Sequence, residues 1–146
     1  MQGASETTEQ QAVIEWAAYA QCRYPGLKNL YHVPNEGKRS KATAGILKSL
    51  GLKSGVPDLI LDHPAGIYHG LRIEMKYGKN VPSKEQMEWL RRLQAAGYFV
   101  AVVWSANAAI HLLIEYMNLK PYEKMPEDND LAKLRWGFPS LDGWRK

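Results

Sequence analysis

Residues Tyr98 to Trp104 read Y-F-V-A-V-V-W, a nearly continuous apolar and aromatic run. A strand with one wet face alternates polar and apolar side chains, so an unbroken run of this length is the pattern of a β-strand covered on both faces. Such a strand requires packed layers on either side, and the flanking sequence offers them. Ser83 caps a helix, with Gln86 three residues later completing a capping box, and Met87, Leu90 and Leu93 give that helix an apolar side until Gly97. Ala106 to Met117 reads as a further helix.

Upstream, Thr8 to Gln21 carries Val13, Ile14, Trp16, Ala17 and Ala20 at helical spacing, and Pro25-Gly26 stops that run. Leu30 to Val33 is a short apolar strand that opens into a loop at Pro34-Asn35, and the basic segment Lys38 to Lys41 follows. Ala42 to Leu50 has helix-forming composition, with Ile46, Leu47 and Leu50 on one side and Gly51 as terminator. Pro57 to Leu61 and Tyr68 to Lys76 read as two strands of a hairpin, joined through a turn containing Pro64 and Gly66. The predicted order is helix, strand, helix, hairpin, helix, strand, helix.

A chain of 146 residues with 45% hydrophobic content suits one core and leaves no room for a second full domain. Residues 1–118 carry the periodic pattern. Residues 119–146 contain Pro121, Pro126, the acidic run Glu127 to Asp130 and the aromatics Trp136, Phe138 and Trp144, and read as a C-terminal extension that packs on the domain or on a partner subunit. Cys22 is the single cysteine, which excludes an intrachain disulfide and a multi-thiolate zinc cage; it is expected as a buried helix residue. The net charge of +4 is compatible with a polyanionic partner but does not specify one. No apolar run approaches the roughly 20 residues that span a bilayer, and the polar, acidic start does not resemble a secretory signal, so a cytoplasmic protein without a membrane partner is expected.

The chemistry concentrates in the hairpin. Alternation along Gly70 to Lys76 puts Arg72, Glu74 and Lys76 on one face and Ile73 and Met75 on the other. An isolated E-x-K is ordinarily a solvated face with a paired acid and base. Its weight here comes from Asp58, which follows Pro57 at the start of the preceding strand and can face Glu74 across the hairpin; after a proline, a turn or cap residue is the plain alternative. Two convergent carboxylates and a backbone carbonyl, for which Met75 is the candidate, make an open oxygen site suited to a hard divalent cation. A bound cation activates water and neutralises charge on a phosphate, and an adjacent ammonium, that of Lys76, can orient the nucleophile. The four histidines are dispersed without ligand spacing, and the Gly-rich phosphate motifs of nucleotide-binding enzymes are absent.

Glu6-x-x-x-Gln10 and Trp16, Val33-Pro34-Asn35-x-Gly37, Gly55-Val56-Pro57-Asp58, Gly70-Leu71-x-Ile73-Glu74-Met75-Lys76, Ser83-x-x-Gln86 and Gly97-Tyr98 occur in that order. In this combination the chain resembles the VRR-NUC (virus-type replication-repair nuclease) branch of the PD-(D/E)XK nucleases over about residues 5 to 118. The resemblance implies an α/β restriction-endonuclease-like core, a central mixed sheet flanked by helices. It implies a DNA nuclease using Mg²⁺ or Mn²⁺, with Asp58, Glu74 and the first-helix acid Glu6 as metal ligands, Lys76 as the catalytic lysine, and Gln86 supporting the site or contacting DNA. Glu9, one helical turn on, competes with Glu6 for that position, and the capping and site roles of Gln86 compete for one amide. In the loop, Glu36 stands where the family commonly has glycine, with Lys38, Arg39 and Lys41 beside it. The resemblance further implies a phage- or prophage-encoded homodimer acting on branched DNA such as Holliday junctions. A non-cleaving nucleic-acid-binding module of the same fold, and a protein in which Glu74 and Lys76 are only a surface ion pair, are the rival readings.

Overall fold

The computed structural model describes residues 5–34 and 40–126. Asn35, Glu36, Gly37, Lys38 and Arg39 of the predicted loop, and the tail aromatics Trp136, Phe138 and Trp144, lie outside the described residues.

Four strands form one mixed sheet in the order β1 (Leu30–His32), β2 (Leu59–Leu61), β3 (Leu71–Met75), β4 (Phe99–Val103). The first three are antiparallel neighbours, and β4 runs parallel to β3. A parallel pair cannot be joined by a tight turn, and helix α3 (Lys84–Ala95) supplies the crossover. Every residue of β4 is buried, as the apolar run at 98–104 requires. Helix α1 (Glu6–Ala20) packs on α4 (Ala106–Met117), and α3 packs on β4. The core joins Val13 of α1, Leu59 and Leu61 of β2, Ile73 and Met75 of β3, Leu90 of α3, and Leu112, Leu113 and Tyr116 of α4.

Local chemistry sets the boundaries. Ser5 caps α1 by accepting a hydrogen bond from the Thr8 N–H, and the Thr8 hydroxyl accepts one from the Ser5 N–H, so the helix starts two residues earlier than its apolar periodicity suggests. That start puts Glu6 in the first turn. A short 3-10 helix over Pro25–Asn29, which periodicity does not reveal, carries the chain to β1. Helix α3 has the predicted capping box, with Ser83 and Gln86 bonded reciprocally. The hairpin strands are shorter than their sequence limits: Tyr68 bridges back to Ala65 in the turn instead of extending β3, and Asp58 stands just ahead of β2. Among the described part of the C-terminal extension, Met125 is buried and its N–H donates to the Tyr68 hydroxyl at 3.0 Å.

One expectation fails. Cys22 is exposed, because α1 ends at Ala20 and leaves it in the following turn, where its thiol donates to the Tyr19 carbonyl. Helix α2 (Lys41–Ser49) forms behind its Ser40 cap, yet its apolar side does not reach the core: Ile46 is 61% and Leu50 78% exposed, and no residue of the helix is buried. Among the described residues no helix is long and apolar enough to cross a membrane.

Candidate metal centre

Carrying the β2–β3 register one residue past Leu59↔Ile73 sets Asp58 opposite Glu74, at the end of the sheet where pairing stops. Asp58 is fixed twice. Its Oδ2 accepts a hydrogen bond from the Met75 N–H at 2.8 Å, and its carbonyl oxygen accepts one from the Val33 N–H at 3.0 Å, with His32 Nδ1 at 3.0 Å from the same oxygen. Pro57 has no N–H to offer the ladder, so the strand begins after it and the Asp58 side chain turns to the neighbouring backbone instead. His32, which spacing alone leaves without a role, thereby helps hold the Asp58 backbone.

Glu74 is 1% and Lys76 7% exposed, so this is no solvated strand face. Lys76 Nζ lies 3.4 Å from Glu74 Oε2, and the Gln86 side-chain NH₂ donates to the same oxygen at 3.2 Å. Gln86 also keeps its capping role: its side-chain oxygen accepts from the Ser83 N–H at 2.8 Å. A primary amide has an acceptor end and a donor end, and the two tasks use different ends, so the competition expected from sequence does not arise. The other carboxylate oxygen, Glu74 Oε1, is buried with no hydrogen-bond partner.

Helix α1 adds the third acid. Carboxylate oxygens of Glu6, Asp58 and Glu74 all lie within 4.8 Å of one another. Glu9 points elsewhere, its Oε1 accepting from the Ala106 N–H at 3.3 Å at the start of α4, where an anion is favoured by the unpaired amides of a helix N-terminus. The two first-turn acids therefore separate by one helical turn into different jobs. The Met75 carbonyl joins the same side: in a strand the N–H and C=O of one residue leave by the same edge, and the Met75 N–H points at Asp58.

Packing these groups together perturbs Glu74. Removal from water, then the neighbouring Asp58 carboxylate, push its carboxyl up to about 10, and the Lys76 ammonium offsets only part of this. Without a further cation Glu74 therefore holds its proton at neutral pH. The donor set fits a divalent ion. Oxygen ligands at about 2.1 Å from Mg²⁺ sit roughly 3 Å apart as neighbours and 4 Å apart as opposites, so a small inward movement closes three oxygens now within 4.8 Å around an ion. The unpartnered Glu74 Oε1 is the atom such an ion would satisfy.

A cleft of about 600 Å³ opens beside the carboxylates, lined by Glu6, Thr7, Lys76, Lys79, Asn80 and Val81. Sequence reasoning singled out neither Thr7 nor Lys79; the Gly78 turn signal beside Lys79 was the only trace of them. A second cavity, between α2 and α3, contains none of the three clustered acids.

Comparison with known proteins identifies the family. A family model described as the VRR-NUC domain matches residues 4–107. A solved structure described as a VRR_NUC domain protein is 30% identical and superimposes with a TM-score of 0.71, over 84% of this chain and 95% of that one. No curated protein matches the chain.

The raised carboxyl of Glu74 has a thermodynamic consequence. A folded state that holds a proton the unfolded chain releases is stabilised by it below the ordinary carboxyl value of 4.5 and loses that contribution as pH rises towards about 10. In the presence of chelator, Glu74→Gln therefore melts above the wild-type protein at pH 8, by on the order of 5 °C, and the difference narrows at pH 4. Mn²⁺ raises the melting temperature of the wild-type protein and not that of the variant. Thermal denaturation at both pH values checks this, and a variant less stable at pH 8 in chelator contradicts it.

Proposed function

This chain belongs to the VRR-NUC domain family, and from that membership we propose that it is a divalent-metal-dependent deoxyribonuclease that hydrolyses phosphodiester bonds. The observation that carries this reading is the convergence of Glu6, Asp58 and Glu74 on one point beside the buried Lys76. Pro57-Asp58 and Glu74-Met75-Lys76 also supply the P-D and E-x-K elements of the PD-(D/E)XK pattern.

Asp58, Glu74, Glu6 and the Met75 carbonyl would hold Mg²⁺ or Mn²⁺. Such an ion supplies an acidified water and Lewis-acid stabilisation of the phosphate. Lys76 keeps its ammonium beside the carboxylates, where it can orient the attacking water and hydrogen-bond to the phosphate oxygen as negative charge develops there. Gln86 restrains Glu74 through Oε2 and leaves Oε1 for the ion. Asp58 gives its Oδ2 to the Met75 amide, and its carboxylate lies within 4.8 Å of those of Glu6 and Glu74, where it would also serve the ion. A non-cleaving binding module would have no use for a buried, mutually repelling acid pair with a lysine beside it.

The finer reading is a structure-specific endonuclease that cuts branched DNA, such as a four-way junction, as a homodimer serving replication, recombination or repair. One metal centre cuts one strand at a time, and two-fold symmetry would present two centres to opposite strands. The exposed apolar side of α2, with Ile46 and Leu50 outward on a helix that buries nothing of its own, supports a second copy as its cover.

Asp58→Ala and Lys76→Ala each lower cleavage by at least about 10³-fold while DNA affinity stays within about threefold, because phosphate contacts elsewhere dominate binding. Single-turnover cleavage and fluorescence anisotropy measure the two quantities; a folded Lys76→Ala protein that cuts at the wild-type rate removes the lysine from the mechanism. For assembly, the double change Ile46→Glu and Leu50→Glu converts the dimer to a monomer by sedimentation and reduces junction cleavage about tenfold or more, with the Mn²⁺ thermal shift retained. Unchanged sedimentation and junction cleavage would move the interface off α2.

A further inference from the structure

The segment between β3 and α3 begins with a tight turn. The Asn80 N–H donates to the Tyr77 carbonyl at 3.1 Å, closing a four-residue turn around Gly78 and Lys79. Gly78 takes φ +61 and Lys79 does not share the positive φ, which is the type II′ geometry with glycine at its first central position. This turn is fastened to the sheet on both sides. The Lys76 N–H donates to the Val103 carbonyl at 2.8 Å, and the buried Trp104 donates from its indole nitrogen to the Asn80 carbonyl at 2.8 Å. Lys79 is thus an exposed cation on a rigid mount, at the wall of the cleft that faces Glu6 and Thr7.

The charge in the cleft indicates what that cation meets. With Glu74 ionised, as ion binding requires, three carboxylates against the Lys76 ammonium leave a deficit of two that one divalent ion cancels, so the centre has no surplus positive charge for a neighbouring phosphate. Lys76 is buried and engaged with Glu74. Among the described residues lining the cleft, Lys79 is the remaining cation. A DNA strand whose scissile phosphate reaches the carboxylates through this opening carries its next phosphate past the rim of the same cleft.

We propose that Lys79 binds the backbone phosphate adjacent to the scissile one and sets the register in which the strand meets the metal centre. The proposal rests on the nuclease reading of this site and adds a substrate-positioning residue to it. A contact to phosphate positions the strand without reading its sequence. As a point charge rather than a fork, lysine also tolerates replacement by arginine here.

The test uses the full chain with Lys79→Ala, Lys79→Arg and Lys79→Glu. Binding to a labelled DNA duplex is followed by anisotropy in chelator, and steady-state cleavage is followed in Mn²⁺, both over a range of salt concentrations. Lys79→Ala should raise KM about 5- to 10-fold with kcat within about twofold, and reduce the slope of log affinity against log salt by about 1. Lys79→Arg should restore both, Lys79→Glu should worsen both, and the Mn²⁺ thermal shift should stay at its wild-type size in all three. Wild-type KM and salt slope in Lys79→Ala would overturn the proposal, as would a loss confined to kcat or to the metal response. A wild-type protein that never cuts DNA would remove the nuclease reading, while the salt slope of binding in chelator would still decide whether Lys79 contacts phosphate.

Discussion

Glu74 is taken out of water beside Asp58, and the fold around it makes that unfavourable placement hold. Two acids in one buried spot cannot both ionise without repulsion, and each loses its hydration, so the site persists only because its surroundings over-determine it. β3 is held by β2 over Leu71 to Ile73 and by the wholly buried β4 along its whole length, so the backbone of Glu74 is paired with Val102 and anchored by the β2 pairing just before it. Asp58 cannot turn away, because the Met75 amide holds its side chain and the Val33 amide its carbonyl. Lys76 and Gln86 occupy one oxygen of Glu74 and leave the other without a partner. Stability conceded at such a point is what a binding site for a cation requires: the protein is destabilised where the ligand stabilises it.

The surrounding elements serve this centre from three directions. The hairpin contributes Asp58, Glu74 and Lys76, the first turn of α1 contributes Glu6, and the first turn of α3 contributes Gln86. Helix starts are suitable places for such groups because capping fixes their orientation: Ser5 sets the register that brings Glu6 inward, and Ser83 holds the same Gln86 that reaches Glu74. Glu9 ties the two helices of one layer together at the start of α4, so the acid that does not join the centre still holds α1, and with it Glu6, in place.

Much of this was legible in the sequence because it follows from periods and caps. The run at Tyr98–Trp104 marked the central strand, Ser83 and Gln86 marked the start of α3, and alternation in G-L-R-I-E-M-K set Glu74 and Lys76 on one face. What the local pattern left open or missed depends on tertiary partners that it does not contain. Glu6 and Glu9 are equivalent on a helix and part only because α4 begins beside one of them. The apolar residues of α2 share one side in the sequence, but what they pack on is not written there, and Ile46 and Leu50 stay exposed. Cys22 was misplaced because α1 ends two residues before it, and the donor and acceptor ends of Gln86 became separable only once Glu74 lay at 3.2 Å from its nitrogen.

The account stands on a single divalent ion bound among Glu6, Asp58 and Glu74. The most direct test is anomalous scattering from a crystal soaked in Mn²⁺ at a concentration that supports DNA cleavage in solution. The account predicts one strong peak in contact with the Asp58 and Glu74 carboxylates and the Met75 carbonyl, with Glu6 facing it. No peak at that point, or a Mn²⁺ ion bound away from these carboxylates in a protein that cuts DNA under the same conditions, would contradict it.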